Sequence, residues 1–254
     1  MSMPRVHLVG AGPGNPDLLT VKALRLIQQA EVVVHDRLVP QEILDLIPQS
    51  ARRIFVGKAT RNHSMAQEDI NLLLVELARE GKRVVRLKGG DPFIFGRGSE
   101  EALTLAEHGI PFEIVPGVTA AAGCGAYAGI PLTHRGLATG VRFVTGHCRE
   151  DNELVCDWRG MMDPDTTLVF YMALANLETI RRNLIAAGVD PAMPAAAVSC
   201  GTTDAQRSVL ATLGTLERAL ALQPLPAPCL IIVGRVVALA PELAWYGERE
   251  LADA

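Results

Sequence analysis

A glycine-rich loop with one carboxylate and one arginine is the part of this sequence best suited to bind a ligand. It reads Gly89-Gly90-Asp91-Pro92-Phe93-Ile94-Phe95-Gly96-Arg97-Gly98 and follows the segment Arg83 to Lys88, which is typical of a strand. Glycine lets the main chain approach a ligand closely, so the loop can offer N–H and C=O groups as well as side chains. A Gly-Gly-Asp-Pro sequence alone is more often only a turn. A binding role for this loop therefore has to be argued from the residues around it.

Two further charged residues follow predicted strands. Asp36 comes after Val32-Val33-Val34, and Lys58 comes after Ile54-Phe55-Val56. Because open parallel sheets bind ligands at the carboxyl ends of their strands, we expect both side chains at that edge. Either charge alone could simply mark where a strand reaches the surface. Together they could supply an acid and a base, or an ion pair that positions a substrate.

Arginines cluster in loops that flank the predicted strands. Arg97 and Glu100 are three residues apart across a loop-to-helix junction, so both side chains can face one ligand. Arg135 follows a Pro-Leu-Thr-His turn, and Arg142 and Arg149 flank the next predicted strand. A solvated surface set would explain the same residues. Because guanidinium groups bind carboxylates in a fixed bidentate geometry, we interpret these arginines as a polyanion site.

The first predicted strand leads into Gly10-Ala11-Gly12-Pro13-Gly14, which invites comparison with a dinucleotide-binding loop. That fingerprint requires a third glycine where this chain has Asn15, and Pro13 lacks an N–H that a pyrophosphate would use. The segment favours a turn that approaches an uncharged or cationic ligand by its backbone. A purely structural turn is an equal alternative. A nicotinamide-dependent oxidoreductase is the weaker hypothesis from another class.

Small and strand-end residues in the second half could also border a ligand. Thr119-Ala120-Ala121-Ala122-Gly123 opens a predicted helix whose small side chains leave room for an aliphatic or adenine-like group. Close helix packing explains this segment equally well. Met172 and Gly201 each follow a predicted strand, and core filling is the default interpretation for the methionine.

The order of strands and helices predicts an α/β protein with two domains. We expect an N-terminal α/β domain at 1–116, an inter-domain helix and linker at 117–140, and a C-terminal α/β domain at 141–254. The first sheet should be mainly parallel, and a direct strand-to-strand step across Gly201 to Gln206 predicts a mixed second sheet. Predicted strands are 5–10, 31–35, 52–56, 83–88, 112–115, 141–146, 167–171, 195–199, 207–213 and 229–234. Predicted helices are 20–30, 41–47, 99–108, 118–128, 174–187, 216–222 and one from a capping box at Ser64 and Gln67 to about Glu80.

The composition of the 254 residues argues against several classes of protein. Hydrophobic residues make up 49% of the chain, enough for the core of a large α/β protein, and the net charge of −4 argues against a nucleic-acid partner. No apolar run is long enough to span a membrane and no signal sequence is evident, so we expect a cytoplasmic protein without a membrane partner. Five cysteines without a C-x-x-C pair and six scattered histidines predict reduced, mostly buried thiols and no metal site.

An ordered series of motifs resembles the tetrapyrrole methylase family from about Val6 to Val237. The motifs are Gly10-Ala-Gly-Pro-Gly14, His35-Asp-Arg-Leu-Val39, Val56-Gly-Lys58, Arg86 to Arg97, Pro116-Gly-Val-Thr-Ala-Ala121, Gly129 to Arg135 and Val144-Thr-Gly-His147. The resemblance implies two α/β domains with a cofactor cleft between them, a class III methyltransferase fold that is not of the Rossmann type. It also implies a homodimer that uses S-adenosylmethionine and releases S-adenosylhomocysteine.

Within that family the chain is most similar to members that methylate uroporphyrinogen III at C2 and C7, giving precorrin-2 through precorrin-1. An alternative is a member that acts on a later corrinoid precursor. Members that act on modified elongation factor or on ribosomal RNA fit less well, because the loop arginines favour a substrate with several carboxylates. The sequence shows no dehydrogenase or chelatase region before the methylase motifs, so we expect methylation only.

The resemblance also implies roles for individual residues. Cofactor contacts would fall on Pro13, Gly89, Gly90, Asp91, Ile94, Thr119, Ala120, Met172 and Gly201. Proton transfer would fall on Asp36 and Lys58, and substrate contacts on Arg97, Glu100 and Arg135. Two positions depart from the family pattern: Asn15 stands where aspartate is frequent, and Ser199-Cys200 stand where an acidic residue is common.

Overall fold

The computed structural model describes residues 6–57, 65–146, 154, 156–246 and 248–251. The chain divides into two compact units, Met1–Thr119 and Ala120–Ala254. In this division residues 120–140, which the sequence suggested as a linker, belong to the second unit. The domain bounds expected from the sequence remain a prediction.

The first unit is a five-stranded sheet with helices between its strands. Its strands are β1 (Val6–Gly10), β2 (Val32–His35), β3 (Arg52–Phe55), β4 (Val84–Lys88) and β5 (Phe112–Val115). Its helices are α1 (Val21–Gln29), α2 (Gln41–Leu44), α3 (Gln67–Arg79) and α4 (Gly98–Glu107). The strand order is β3-β2-β4-β1-β5 and every pairing is parallel, which confirms the predicted parallel sheet. All five carboxyl ends therefore lie along one edge.

Side chains alternate between the two faces of each buried strand, so the core of this unit consists of two apolar layers. Val84 of β4 packs with residues of α3 and α4, whereas Val85 and Leu87 pack with residues of α1 and α2. Strands covered on both faces are apolar almost throughout, as in Val32-Val33-Val34. Arg86 and Lys88 break this rule, because both are buried on β4.

The second unit is a six-stranded mixed sheet. Its strands are β6 (Gly140–Thr145), β7 (Thr166–Tyr171), β8 (Pro194–Ser199), β9 (Arg207–Thr212), β10 (Cys229–Val233) and β11 (Glu248–Leu251). Its helices are α5 (Ala120–Tyr127), α6 (Leu177–Ala187) and α7 (Leu216–Leu222). The order is β11-β9-β8-β10-β7-β6, with β8 antiparallel to both β9 and β10 and β6 parallel to β7. The predicted mixed sheet is confirmed, whereas strand β11 was not predicted.

Two predicted helix features are wrong, and a third helix begins as a 3₁₀ turn. Helix α3 begins at Gln67 with Ala66 as its N-cap and no side-chain cap, so Gln67 does not take the capping-box position; Ser64 lies outside the described residues. The side-chain amide of Gln67 instead bonds Asn71, at 2.9 Å. Helix α2 ends at Leu44 rather than at 47, and the helix expected from 174 starts as a single 3₁₀ turn before α6.

The structure also bears on the expectations from composition. Cys124 and Cys229 are buried, but Cys156 and Cys200 are only partly so, and Cys148 lies outside the described residues. Within the described ranges, no helix is both long and apolar enough to cross a bilayer. The same residues contain no group of three or more histidine, cysteine or acidic side chains placed to hold a metal ion.

Candidate active site

Two glycine-containing loops are joined backbone to backbone at the carboxyl edge of the first sheet. The N–H of Gly12 donates to the carbonyl of Gly90 at 3.1 Å, and the N–H of Gly90 donates to the carbonyl of Gly12 at 2.7 Å. The N–H of Ala11 donates to the carbonyl of Lys88 at 2.8 Å, which extends the β1–β4 pairing into the loops. The loop after β4 is thus held in register with the loop after β1.

A third loop, which follows β5, comes so close that it excludes side chains. A Cβ atom on Gly117 would lie 2.3 Å from the carbonyl oxygen of Gly90, and a Cβ on Gly10 would lie 2.6 Å from the same oxygen. Such distances are far below van der Waals contact. Gly89 is equally confined, because its Cβ would lie 2.7 Å from that of Leu38. Glycine at these positions is therefore required by backbone packing as well as by any ligand.

Asp91 fixes the loop after β4 to the loop after β5. Its Oδ2 accepts the N–H of Gly117 at 3.0 Å, and its Oδ1 accepts the N–H of Phe93 at 2.8 Å. A carboxylate has about four acceptor positions, so the partly buried Asp91 retains capacity to accept hydroxyl hydrogens from a ligand. The half-buried Ile94 follows, with its N–H donating to the carbonyl of Asp91 at 3.3 Å.

Arg97 and Glu100 form a bidentate ion pair at the start of α4. The Nε of Arg97 donates to Oε1 of Glu100 at 2.8 Å, and Nη2 donates to Oε2 at 2.6 Å. This hydrogen bonding raises the pKa of Arg97 and lowers the pKa of Glu100. The structure therefore brings these two predicted residues together. Because a guanidinium has five N–H donors, the half-exposed Arg97 can bind a second carboxylate while Glu100 holds the first.

Strained backbone coincides with two predicted site residues, Arg97 and Met172. Five residues other than glycine, among those described, have positive φ: Phe95, Arg97, Met172, Cys200 and Thr202. A left-handed conformation costs about 1–2 kcal/mol for an ordinary residue, and such strain persists mainly where function requires it. Three lie in the loops after β7 and β8, and the other two lie in the loop after β4.

Asp36 lies directly beyond β2 with a restrained carboxylate. Its Oδ1 accepts the N–H of Leu38 at 2.9 Å, and its Oδ2 lies 3.8 Å from Nη1 of the buried Arg86. The side chain remains 25% exposed, so a ligand can reach it. Lys58, its predicted partner in proton transfer, lies outside the described residues. Pro13, half-buried in the loop after β1, lies at the same edge of the sheet.

His35, which precedes Asp36, is buried and should titrate below the ordinary range. Its Nδ1 lies 3.3 Å from the carbonyl oxygen of Asp36, and its ring lies 5.6 Å from that of Phe55. Burial is the main cause that lowers the pKa of His35 below 6.5. The folded state therefore holds this ring neutral at pH values where the unfolded chain would bind a proton.

This difference predicts a pH dependence of stability. Between the lowered pKa and 6.5 the unfolded chain binds more protons, so the free energy of unfolding falls as the pH falls through this window. We expect His35→Phe to show a smaller fall than the wild type. Urea unfolding about one unit above and about one unit below 6.5 would measure both. Equal falls in the two proteins would contradict the prediction.

In the second unit, helix α5 holds the strand end at Met172. The hydroxyl of Tyr171, the last residue of β7, accepts the N–H of Ala121 in the first turn of α5 at 3.0 Å. Met172 follows with φ of 54° and a side chain that is 52% exposed. The core-filling interpretation of Met172 is therefore wrong. Ala120 is the first residue of α5, and Thr119 is the last residue of the first unit.

The same helix supports the loop that contains Gly201. A Cβ on Gly201 would lie 2.2 Å from Sγ of Cys124 on α5. The side chain of Gln206 accepts the N–H of Thr202 at 2.7 Å and donates to the carbonyl of Tyr127 at 3.2 Å. Both strained loops of this unit are thus fixed by α5.

A paired substitution tests this packing. Gly201→Ala should lower the free energy of unfolding by about 1–3 kcal/mol, because the new methyl group would overlap the Cys124 thiol. Cys124→Ala should rescue only part of that loss, since the Cβ of residue 124 would still lie 3.2 Å away. Urea unfolding of the two single variants and the double variant would give the coupling. Strictly additive losses would show that the thiol is not the obstacle.

The remaining predicted arginines lie in the second unit or outside the described residues. Arg135 is exposed in a tight turn whose ends, His134 and Ala138, pair with each other. Arg142 donates from Nη1 to the carbonyl of Gly160 at 2.9 Å, so part of its guanidinium serves local structure. Arg149 lies outside the described residues. A role for Arg135 in substrate binding stays a prediction.

Sequence reasoning gave no role to three buried charges beside the site. Arg86 and Lys88 on β4 are 3% exposed and Glu101 on α4 is fully buried, and each of the two cations donates a hydrogen bond to Glu101. The signal was present in Arg83 to Lys88, where two basic residues alternate with apolar ones inside a strand. This segment alone does not reveal the role, because the paired carboxylate is on another element.

A cavity among the described residues lies at the opposite edge of the first sheet. It has a volume of about 700 Å³ and is lined by residues that include Glu31, Arg52 and Arg83. These residues lie at the amino ends of β2, β3 and β4, where parallel sheets rarely bind their substrates. We therefore retain the carboxyl edge as the candidate site.

The fold and the loops define an α/β protein that presents glycine-lined backbone and a few charged side chains at the carboxyl ends of its strands. Residues 5–217 match the family described as Tetrapyrrole (Corrin/Porphyrin) Methylases. The chain belongs to this family, and it is a methyltransferase with the class III fold.

Individual relatives agree with this assignment. A siroheme synthase of Chromobacterium violaceum is 55% identical over 245 residues, covering 96% of this chain and 52% of the relative. The chain thus spans about half the length of the curated relatives that it matches. The uroporphyrin-III C-methyl transferase of Thermus thermophilus, solved with S-adenyl homocysteine, is 44% identical with a TM-score of 0.79, covering 92% of this chain and 99% of that one. A cobalt precorrin-4 methyltransferase is 28% identical with a TM-score of 0.81, covering 92% and 95%.

Proposed function

We propose that this chain transfers methyl groups from S-adenosylmethionine to C2 and C7 of uroporphyrinogen III, giving precorrin-2 through precorrin-1. The observation that supports this most is the 44% identity to a Thermus thermophilus protein named uroporphyrin-III C-methyl transferase, over an alignment that covers 99% of that protein. The arrangement of Asp36, Asp91 and Arg97 along one sheet edge supports it. S-adenosylhomocysteine would be the second product.

The described residues fit the methyl donor by their chemistry. A sulfonium cofactor has no phosphate, and the loop after β1 lacks the third glycine and one N–H that a phosphate grip would need. Gly12 and Gly90 are joined through backbone atoms with no side chain at either residue, and Asp91 can accept further hydroxyl hydrogens. We assign the cofactor contacts to Pro13, Gly89, Gly90, Asp91, Ile94, Thr119, Ala120, Met172 and Gly201.

When bound, the cofactor supplies an electrophilic methyl group. The pyrrole carbon forms a bond to this methyl as the sulfur–methyl bond breaks, and the proton on that part of the macrocycle must then leave. Asp36 is the group that we assign to accept it, with Lys58 as its partner. Arg97, oriented by Glu100, and Arg135 bind carboxylates of the substrate and so hold the reacting carbon in place.

The test is an incubation of purified protein with uroporphyrinogen III and labelled S-adenosylmethionine. We expect a product whose mass has grown by two methyl groups, with a singly methylated intermediate at early times. A parallel incubation with a later precorrin tests the alternative substrate class. If only that substrate is methylated, or neither is, the proposed function is wrong.

We also propose that the protein is a homodimer, as the family resemblance implies, and that it is located in the cytoplasm. The mass in solution, measured by light scattering over a range of protein concentrations, tests the first part. Fractionation of the producing cell tests the second. A mass equal to that of one chain at all concentrations would reject the dimer.

A further inference from the structure

A layer of buried charge lies between the apolar core of the first unit and the candidate site. Nε of Arg86 and Nζ of Lys88 each donate to Oε1 of Glu101 at 2.9 Å. The side chain of Gln67 donates to the same oxygen at 3.3 Å. Glu101 is fully buried, and both cations are 4% exposed in their side chains. One carboxylate oxygen thus holds two cations in place.

The position of this layer follows from the register of the sheet. Arg86 pairs with Val34 on one side and with Leu8 on the other, and these two neighbours pack in the apolar layer beneath α3 and α4. Lys88 ends β4 and directly precedes Gly89. The buried charges therefore occupy the rim of the core nearest to the loop after β4.

Stability alone gives little reason to bury such a cluster. Taking ions out of water costs free energy that the ion pairs only partly return, and apolar residues of similar volume would often serve as well. Burial, and secondly the charge of Arg86, lower the pKa of Lys88, as expected for a cation that the core disfavours. Clusters of this kind concentrate at functional sites.

Arg86 connects the cluster to the site. Its Nε is bound to Glu101, while its Nη1 lies 3.8 Å from Oδ2 of Asp36 and donates to the carbonyl of Leu87 at 3.2 Å. The guanidinium is thus shared between a fully buried carboxylate and a partly exposed one. The bond from Nε to Glu101 thus holds the guanidinium of Arg86 with Nη1 on the side of Asp36.

We infer that Glu101 is a positioning residue for the proton-transfer step, acting through Arg86 on the carboxylate of Asp36. The inference rests on the proposed function, in which Asp36 accepts the proton. Glu101 itself does not touch substrate. Its loss should therefore slow turnover without weakening the binding of either substrate.

The first variant is Glu101→Gln, which keeps the size of the side chain and removes its charge. We expect kcat to fall about tenfold or more, while the KM for uroporphyrinogen III and the Kd for S-adenosylhomocysteine change by less than about twofold. Glu107→Gln, on the exposed part of the same helix, is the matched control and should retain wild-type kcat. A purely structural role would lower the folded fraction and leave kcat per folded molecule unchanged.

The second variant separates a loss of stability from a loss of turnover. Glu101→Gln combined with Lys88→Met removes one anion and one cation, so the net charge of the cluster is restored. Thermal unfolding should recover toward the wild type, but kcat should stay low because Arg86 still lacks the negative charge of its buried partner. Wild-type kcat in the double variant, or in Glu101→Gln, would overturn the inference. Failure of the wild type itself to methylate uroporphyrinogen III would instead reject the proposed function.

Discussion

Arg97→Ala should lose most methyl-transfer activity while still binding the cofactor. We expect kcat/KM for uroporphyrinogen III to fall about 100-fold or more, because a bidentate carboxylate contact is lost at the point that orients the substrate. The Kd for S-adenosylhomocysteine, measured by calorimetry, should change by less than about twofold. The two measurements separate a substrate-binding residue from a cofactor-binding one.

Two further variants sharpen this prediction. Arg97→Lys keeps the charge but not the planar fork, so it should recover only part of the activity. Arg79→Ala removes an exposed arginine at the end of α3 and should behave as the wild type. Wild-type turnover by Arg97→Ala would remove Arg97 from the site.

Asp91→Ala, in contrast, should weaken the binding of the cofactor. The variant loses the hydrogen bonds to Gly117 and Phe93, so the loops after β4 and β5 are no longer joined by this side chain. Since each bond to a charged group contributes about 1.5–3 kcal/mol, we expect the Kd for S-adenosylhomocysteine to rise about 10- to 100-fold. Calorimetry gives this value directly.

Two control substitutions test whether a change in Kd is specific to the carboxylate of Asp91. Asp91→Asn keeps one acceptor and should show an intermediate Kd. Asp69→Ala, on the exposed face of α3, should show none of the change. An unchanged Kd in Asp91→Ala would mean that the carboxylate shapes the loop without serving the cofactor.

Local pattern was enough to predict the fold class. The apolar run Val32-Val33-Val34 identifies a strand buried on both faces, and the predicted end of α3 near Glu80 agrees with its last residue, Arg79. Strand β11 could not be found in this way, because its sequence, Glu248–Leu251, has three charged residues in four. It forms by pairing with β9. That pairing is a property of the folded chain and not of the segment.

The site could be predicted where the interacting residues are close together in the sequence. Arg97 and Glu100 are one helical turn apart, so their spacing already indicated a shared direction, and the structure shows the ion pair. Glu101 gave no such indication, although it is the next residue, because its partners Arg86 and Lys88 lie on another element. Its burial depends on how α4 packs against the sheet, which spacing along the chain does not reveal.

The close contact among Gly10, Gly90 and Gly117 also bears on when the candidate site forms during folding of the first unit. Gly10 ends β1, while Gly90 and Gly117 lie in the loops after β4 and β5, so their contact forms only after distant stretches of chain have met. A proteolytic fragment that ends before β5 cannot contain it. The Gly117 amide proton, bound to Asp91, should therefore exchange with solvent deuterium mainly through opening of the whole unit and not through local fluctuation of a loop.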